Sequence, residues 1–284
     1  MKKHLLIIMC AISGICHAQN DFIAIDAGGG INALSYKTDS RCSAKPGPGI
    51  TVRGGYRHFF DRYMGVGINA VFKTCSTSCT LDYTEIIPDA IDSEGEQYEH
   101  RVNFSSLKEK QKQNNISRPA GFYYRRGINR SWEMTAGVGI LFQWSVSNSY
   151  NIADGKVETL GYYAADNITF DAMPQHDFYS INQFSGEYKY KPSMGVYLEA
   201  GLLHPLKDNL LLSLSLYASY GLTSCMDDKS EPLYDYKTQK YNGVLNSPLA
   251  TGKKQIAFGV LVGICIGRSG GGAGGHPICP AYCN

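Results

Sequence analysis

Residues 210–222 read LLLSLSLYASYGL, and the alternation within them decides the fold. Leu210, Leu212, Leu214, Leu216, Ala218, Tyr220 and Leu222 share one parity; Ser213, Ser215, Tyr217, Ser219 and Gly221 share the other. Side chains that change face at every residue describe a strand with one apolar and one small or polar side, whereas a helix would scatter the serines around its circumference. One strand does not say whether the leucines meet a protein core or lipid.

Seven other segments repeat the pattern. FIAIDAGGGINALSY (22–36), GITVRGGYRHFF (49–60) and YMGVGINAVFKT (63–74) come first, then NISRPAGFYYR (115–125), the least regular of them. SWEMTAGVGILFQWSVS (131–147), PSMGVYLEAGLL (192–203) and KQIAFGVLVGICIG (254–267) complete the set. Their connections alternate in length. HFFDRY, RRGINRS and HPLKDN are short, while about 10 residues follow the first segment and much longer polar stretches fall within 75–115, 148–190 and 223–252. Strict sorting of short and long connections predicts an all-β fold: an eight-stranded, antiparallel, up-and-down transmembrane barrel with short periplasmic turns and long extracellular loops.

The faces carry the same message. The apolar parity is large, branched and continuous; the other holds Gly, Ser and Thr with charges of both signs. Asp26, Glu133 and Glu199 stand against Arg53, Arg57 and Arg125, and a paired cluster of these six inside a narrow lumen would satisfy charges that are costly to bury alone. The lumen is therefore expected to be plugged by side chains rather than open as a wide channel.

The first eighteen residues, MKKHLLIIMCAISGICHA, have two lysines, a short apolar run and a small residue before Gln19, the layout of a signal peptide. The expected organisation is a signal peptide over 1–18, the barrel over 19–268 and a flexible Gly-rich, Cys-containing periplasmic tail over 269–284. Removing Lys2 and Lys3 from 27 basic residues leaves 25 against 25 acidic ones, a balance that gives no global attraction to nucleic acid.

Three segments carry a resemblance to a known group: IDAGGGIN in the first strand, RPAGFYYR in the fourth and AGVGILF in the fifth, with IAFGVLVGICIGR closing the set. The chain resembles the OmpA-like, PorT-like outer membrane β-barrel family common in Bacteroidetes, over about residues 20–268. That likeness implies an eight-stranded barrel and no catalytic motif. Two features depart from it: Arg118 has lipid-facing parity, and the chain continues past its last strand as GRSGGGAGGHPICPAYCN.

Seven cysteines lie beyond the signal. Cys42, Cys75, Cys79 and Cys225 fall on the outer side and are expected to form extracellular disulfides, with zinc the less favoured use because the four lack a compact ligand pair. Cys265 reads as a small packed residue; His276, Cys279 and Cys283 belong to the tail. His100 and His176 lie on the outer side, and the pair His176–Asp177 sits in a loop-like stretch where a solvated histidine outweighs a catalytic one. The acidic run from Asp82 to Glu99, followed by Arg101, Lys108, Lys110 and Lys112, lacks EF-hand spacing and reads as a solvated loop.

No catalytic, cofactor-binding or metal-binding residues are assigned. The expected function is a structural, surface-binding or adhesion role in the outer membrane through the long loops. A narrow transport or envelope-assembly role is the alternative, and an outer membrane enzyme acting on lipid or protein comes last. The expected partners are outer membrane lipid and an extracellular ligand or envelope protein, with no nucleic acid, and the chain is expected to be a monomer.

Overall fold

The computed structural model describes residues 21–38, 40–129, 131–170, 184–207, 209–235, 238 and 240–267. Eight long strands follow one another: β1 (Asp21–Thr38), β2 (Pro48–Phe59), β3 (Met64–Ile91), β4 (Gln97–Gly127), β5 (Glu133–Tyr163), β6 (Ser193–Lys207), β7 (Leu210–Gly221) and β8 (Ala250–Ile266). Each pairs antiparallel with the next, from β1–β2 to β7–β8. The ring closes where β8 returns to β1, with Ile23 opposite Ile266 and Ala33 opposite Ile256. The fold is an eight-stranded, antiparallel, up-and-down barrel with no free sheet edge around its ring.

It is apolar outside and polar inside, the arrangement of a barrel that spans a membrane. Leu216 is 50% exposed and Phe258 58%, whereas Ser213 and Ser215 are buried. On β5 the outward apolar run goes from Met134 to Val146 and on β7 from Leu210 to Leu222. At ~3.4 Å per residue each run is about 40 Å of strand, or roughly 30 Å in height at the ~45° tilt of such barrels. That matches the hydrocarbon thickness of a bilayer. Arg118 keeps its outward parity and lies 5.6 Å from the ring of Trp144, at the upper border of the apolar band. A cation over an aromatic ring suits the interface.

Two of the three short turns are held by Asx-type bonds. Asp61 Oδ1 accepts from the amides of Tyr63 (2.6 Å) and Met64 (2.7 Å), and Asn129 Oδ1 from those of Ser131 (2.8 Å) and Trp132 (2.9 Å).

The long connections differ from expectation. The stretch 75–115 is mostly strand: β3 runs unbroken to Ile91, β4 starts at Gln97, and only a tight turn separates them. β5 likewise continues to Tyr163. With 31 residues, β4 is about three times as long as the 9–11 residues that cross a bilayer. The strand Cys42–Pro46 pairs with the β3 extension, and Ile168–Phe170 with that of β5. These segments read as loops because their outward residues are Ser, Thr, Lys and Glu once they rise above lipid, which removes the apolar face that alternation is recognised by.

The extensions fold into a head with its own core. Leu81, Val102, Phe104, Leu107, Ile152 and Val157 on the strands pack against Met226, Leu233, Tyr234, Tyr241, Val244 and Leu245 of the β7–β8 connection. Paired bulges shape this sheet near Leu81/Tyr83 and Ser105/Lys108. Ser106 sits there at φ 49°, its amide donating to Asp82 Oδ1 at 2.6 Å. Gly155 faces it at φ 113°, where a Cβ would stand 2.5 Å from Leu107 Cα, so only glycine fits.

Residues 1–20, the pair His176–Asp177 and the tail from Arg268 lie outside the described residues, so the expected signal peptide and cysteine-containing tail are without a structural account. Among the described residues no helix is long and apolar enough to cross a membrane, which says nothing against a barrel.

Candidate functional site

Two sites are built into the chain: a charged plug in the lumen and a capped head above it. Inward positions of β1, β2 and β6 converge in the plug. Arg53 is 1% exposed; its Nε and Nη2 donate to Asp26 Oδ2 at 2.9 and 2.7 Å, and its Nη1 donates to Glu199 Oε2 at 2.5 Å. Arg57 Nη2 donates to Glu199 Oε1 at 2.9 Å, and Ser215 Oγ to the same oxygen at 3.2 Å. The Tyr197 hydroxyl donates to Glu199 Oε2 and accepts from Arg53 Nη1. Two arginines and two carboxylates thus neutralise one another within a single hydrogen-bonded group.

Arg125 and Glu133, expected in the same cluster, lie at the short-turn end instead. Arg125 Nε donates to the Arg62 carbonyl at 3.2 Å, its guanidinium lies 4.2 Å from the Phe59 ring and 4.9 Å from Phe22, and Glu133 is close enough for its charge to act on it. Four of the six predicted charges therefore meet, and two form a separate closure. Aromatic rings pack beside these charges. Tyr123 accepts from Asn69 Nδ2 at 2.7 Å, carries Arg57 over its ring at 4.4 Å, and is accommodated by Gly67 and Gly137, where a Cβ would come within 2.8 and 2.7 Å of it. Phe22 and Phe59 meet edge to face at 5.5 Å beside Leu203, Leu211 and Cys265.

The head is organised around Glu109, which is fully buried. Its carboxylate accepts from the hydroxyls of Tyr188 and Tyr241, both at 2.6 Å, from Gln111 Nε2 at 2.7 Å and from the Val244 amide at 3.0 Å. Burial first, and the Glu109 charge second, push both tyrosine hydroxyls well above their ordinary pKa, so they stay protonated donors. Glu85 plays a parallel part: its oxygens accept from the amides of Leu233 (2.9 Å) and Tyr234 (2.7 Å), and burial raises its pKa despite those two bonds. These two carboxylates clamp the β7–β8 connection onto the strand extensions. His100, expected on the outer side, is buried in the head with its ring stacked on Tyr234 at 6.4 Å.

Of the four cysteines expected in disulfides, two are joined and two are not. Cys42 and Cys79 form a disulfide between neighbouring strands of the head, while Cys75 and Cys225 are free and buried. Cys75 lines the inner wall of β3, where Asn115 Nδ2 donates to its sulfur at 3.2 Å, and the Cys225 thiol donates to the Lys253 carbonyl at 3.3 Å. Each thiol is thereby engaged in its own setting, and burial pushes Cys225 up to about 12. Among the described residues no group of three or more His, Cys, Asp or Glu side chains could hold a metal ion.

Glu85 and Glu109 are the residues that sequence reasoning missed. The signal for Glu109 exists in LKEKQKQ (107–113): Lys108, Lys110 and Lys112 point out, while Leu107, Glu109, Gln111 and Gln113 point in.

No protein-family model matches the chain, and no curated protein does either. Among solved structures the chain is similar to the outer membrane protein OprG from Pseudomonas aeruginosa, at 13% identity and TM-score 0.41, covering 88% of this chain and 97% of that one. It is also similar to Ail, the attachment invasion locus protein of Yersinia pestis, in complex with the heparin analogue sucrose octasulfate: 12% identity, TM-score 0.32, 87% and 99% covered. Neisserial surface protein A matches at 7% identity and TM-score 0.36, over 87% and 96%. The barrel itself rests on this chain's own strand pairing.

Proposed function

We propose that the chain is a monomeric, non-enzymatic outer membrane protein of the OmpA-like, PorT-like kind, exported by its first eighteen residues, that binds an anionic ligand through its head. The carrying observation is the continuation of β3, β4 and β5 into a folded head. An eight-stranded barrel needs no such structure to stay in a membrane, and a rigid platform favours recognition over solute passage through a filled lumen.

One flank of that platform is basic. Lys108, Lys110 and Lys112 are exposed at alternate positions of β4, about 7 Å apart. Lys45 joins them from two strands away, since it pairs with Ser78, which pairs with Lys110. Ser76, Ser78 and Thr80 supply hydroxyls between the cations, and Asp154 stands opposite Lys108 alone. Such a ladder suits phosphate or sulfate groups repeated along a polysaccharide or glycolipid.

Folded chain in detergent is expected to bind immobilised heparin, used as a polyanionic probe, and to release it as salt rises. At about 1 kcal/mol per lysine near a charged surface, the triple variant Lys108→Gln, Lys110→Gln, Lys112→Gln should bind at least tenfold more weakly. Binding by the variant equal to that of the parent, or none by the parent at low salt, rejects this assignment.

A further inference from the structure

Between the plug and the head the barrel wall carries polar side chains that neither site uses. Lys73 on β3 is 5% exposed and faces Asn115 on β4. Ser117 lies next along β4, opposite Gln143 on β5, which in turn faces Ser193 on β6; Gln113 faces Cys75. Register therefore places these groups on one continuous inner wall. Gln113, Asn115, Ser117 and Ser193 are each at most 4% exposed. Both polar atoms of Gln113, Asn115 Oδ1, Ser117 Oγ and Ser193 Oγ are buried without a hydrogen-bond partner.

The charge balance at this level is unusual. Lys73 Nζ donates to Ser219 Oγ across the lumen at 3.0 Å and lies 5.8 Å from the Tyr217 ring, and among the described residues no carboxylate forms a salt bridge with it. The charges nearest along the lumen are taken. Below, Arg53 and Arg57 are charge-paired with Asp26 and Glu199. Above, Glu109 is held by its four donors and Lys253 Nζ by Asp228 at 3.0 Å. A buried ammonium without a counter-charge is costly, and buried polar groups are almost always paired. The remaining hydrogens on Lys73, the Gln113 amide and two serine hydroxyls form a donor-rich, acid-free lining.

We infer that this wall is a binding site for a small anion, an oxyanion or carboxylate, held between Lys73 and the hydroxyls and amide of Ser117, Ser193 and Gln113. The site lies between the plug and the head along the strands, and it is independent of the ligand proposed for the head's outer flank. Lys73 supplies the charge, and the neutral donors supply orientation, as in other buried anion sites where charge-assisted bonds dominate.

Two measurements on the full folded chain test it. Crystals grown in sodium selenate, the anion used as probe, should show an anomalous peak about 3 Å from Lys73 Nζ; water alone at that position overturns the inference. The unfolding midpoint should also rise as sulfate replaces chloride at constant ionic strength, through binding to the folded state. Sulfate stabilises proteins generally by exclusion from their surfaces, so the deciding quantity is the difference between variants. The sulfate-linked rise should shrink in Lys73→Met and also in the milder Ser117→Ala, Ser193→Ala pair. A rise of the same size in the parent and in both variants overturns the inference.

Discussion

Replacing Arg53 with methionine is expected to destabilise the barrel by about 3–5 kcal/mol, because it leaves Asp26 with no cation inside a closed lumen. Glu199 keeps Arg57 at 2.9 Å, so the loss falls mainly on Asp26 and on the geometry of Tyr197. Arg53→Met combined with Asp26→Asn restores charge balance and should recover most of the loss. Urea unfolding in lipid vesicles, followed by tryptophan fluorescence and by the gel mobility of the folded form, measures both. A cost under about 1 kcal/mol for the single variant would place this ion pair in the class of solvated surface pairs.

Glu109→Ala should act on the head and spare the barrel. It strips four donors of their acceptor at once: the Tyr188 and Tyr241 hydroxyls, the Val244 amide and Gln111 Nε2. Each buried donor left without a partner costs about 1–3 kcal/mol, although relaxation of the connection will recover part of the sum. A local loss of about 3 kcal/mol corresponds to a rise of roughly a hundredfold in amide exchange over 241–249. Glu109→Gln retains one acceptor oxygen and should show a smaller rise. Exchange within β7 should not change in either variant. If β7 and the head open together, the two cores are a single cooperative unit and not the separate ones described above.

The membrane portion was legible because lipid imposes a strict rule on sequence. Every outward residue from Leu210 to Leu222 must be apolar, and the inward serines stand out against them. The same parity brought Asp26, Arg53, Arg57 and Glu199 together, since inward positions of neighbouring strands at similar height must meet. Arg125 and Glu133 share that parity but not that height, and parity carries no information on height until register is known. The head was less legible for a related reason. Above the apolar band the outward residues become Ser76, Ser78 and Lys110, so the contrast between faces vanishes and a strand reads as a loop. Glu109 was hidden among lysines as one more charge of a solvated run. Cys75 and Cys225 were grouped with Cys42 and Cys79 by their side of the barrel, which says nothing about which sulfurs approach one another.

The leucine face of residues 210–222 meets lipid, while β4 rises above it. Single tryptophans test this placement directly, introduced as Leu214→Trp or Lys110→Trp after Trp132→Phe and Trp144→Phe, in vesicles containing brominated lipid. The predicted result is strong quenching by bromine at position 214 and none at 110, with aqueous iodide quenching in the opposite order. Iodide reaching position 214 while brominated lipid does not would contradict the account.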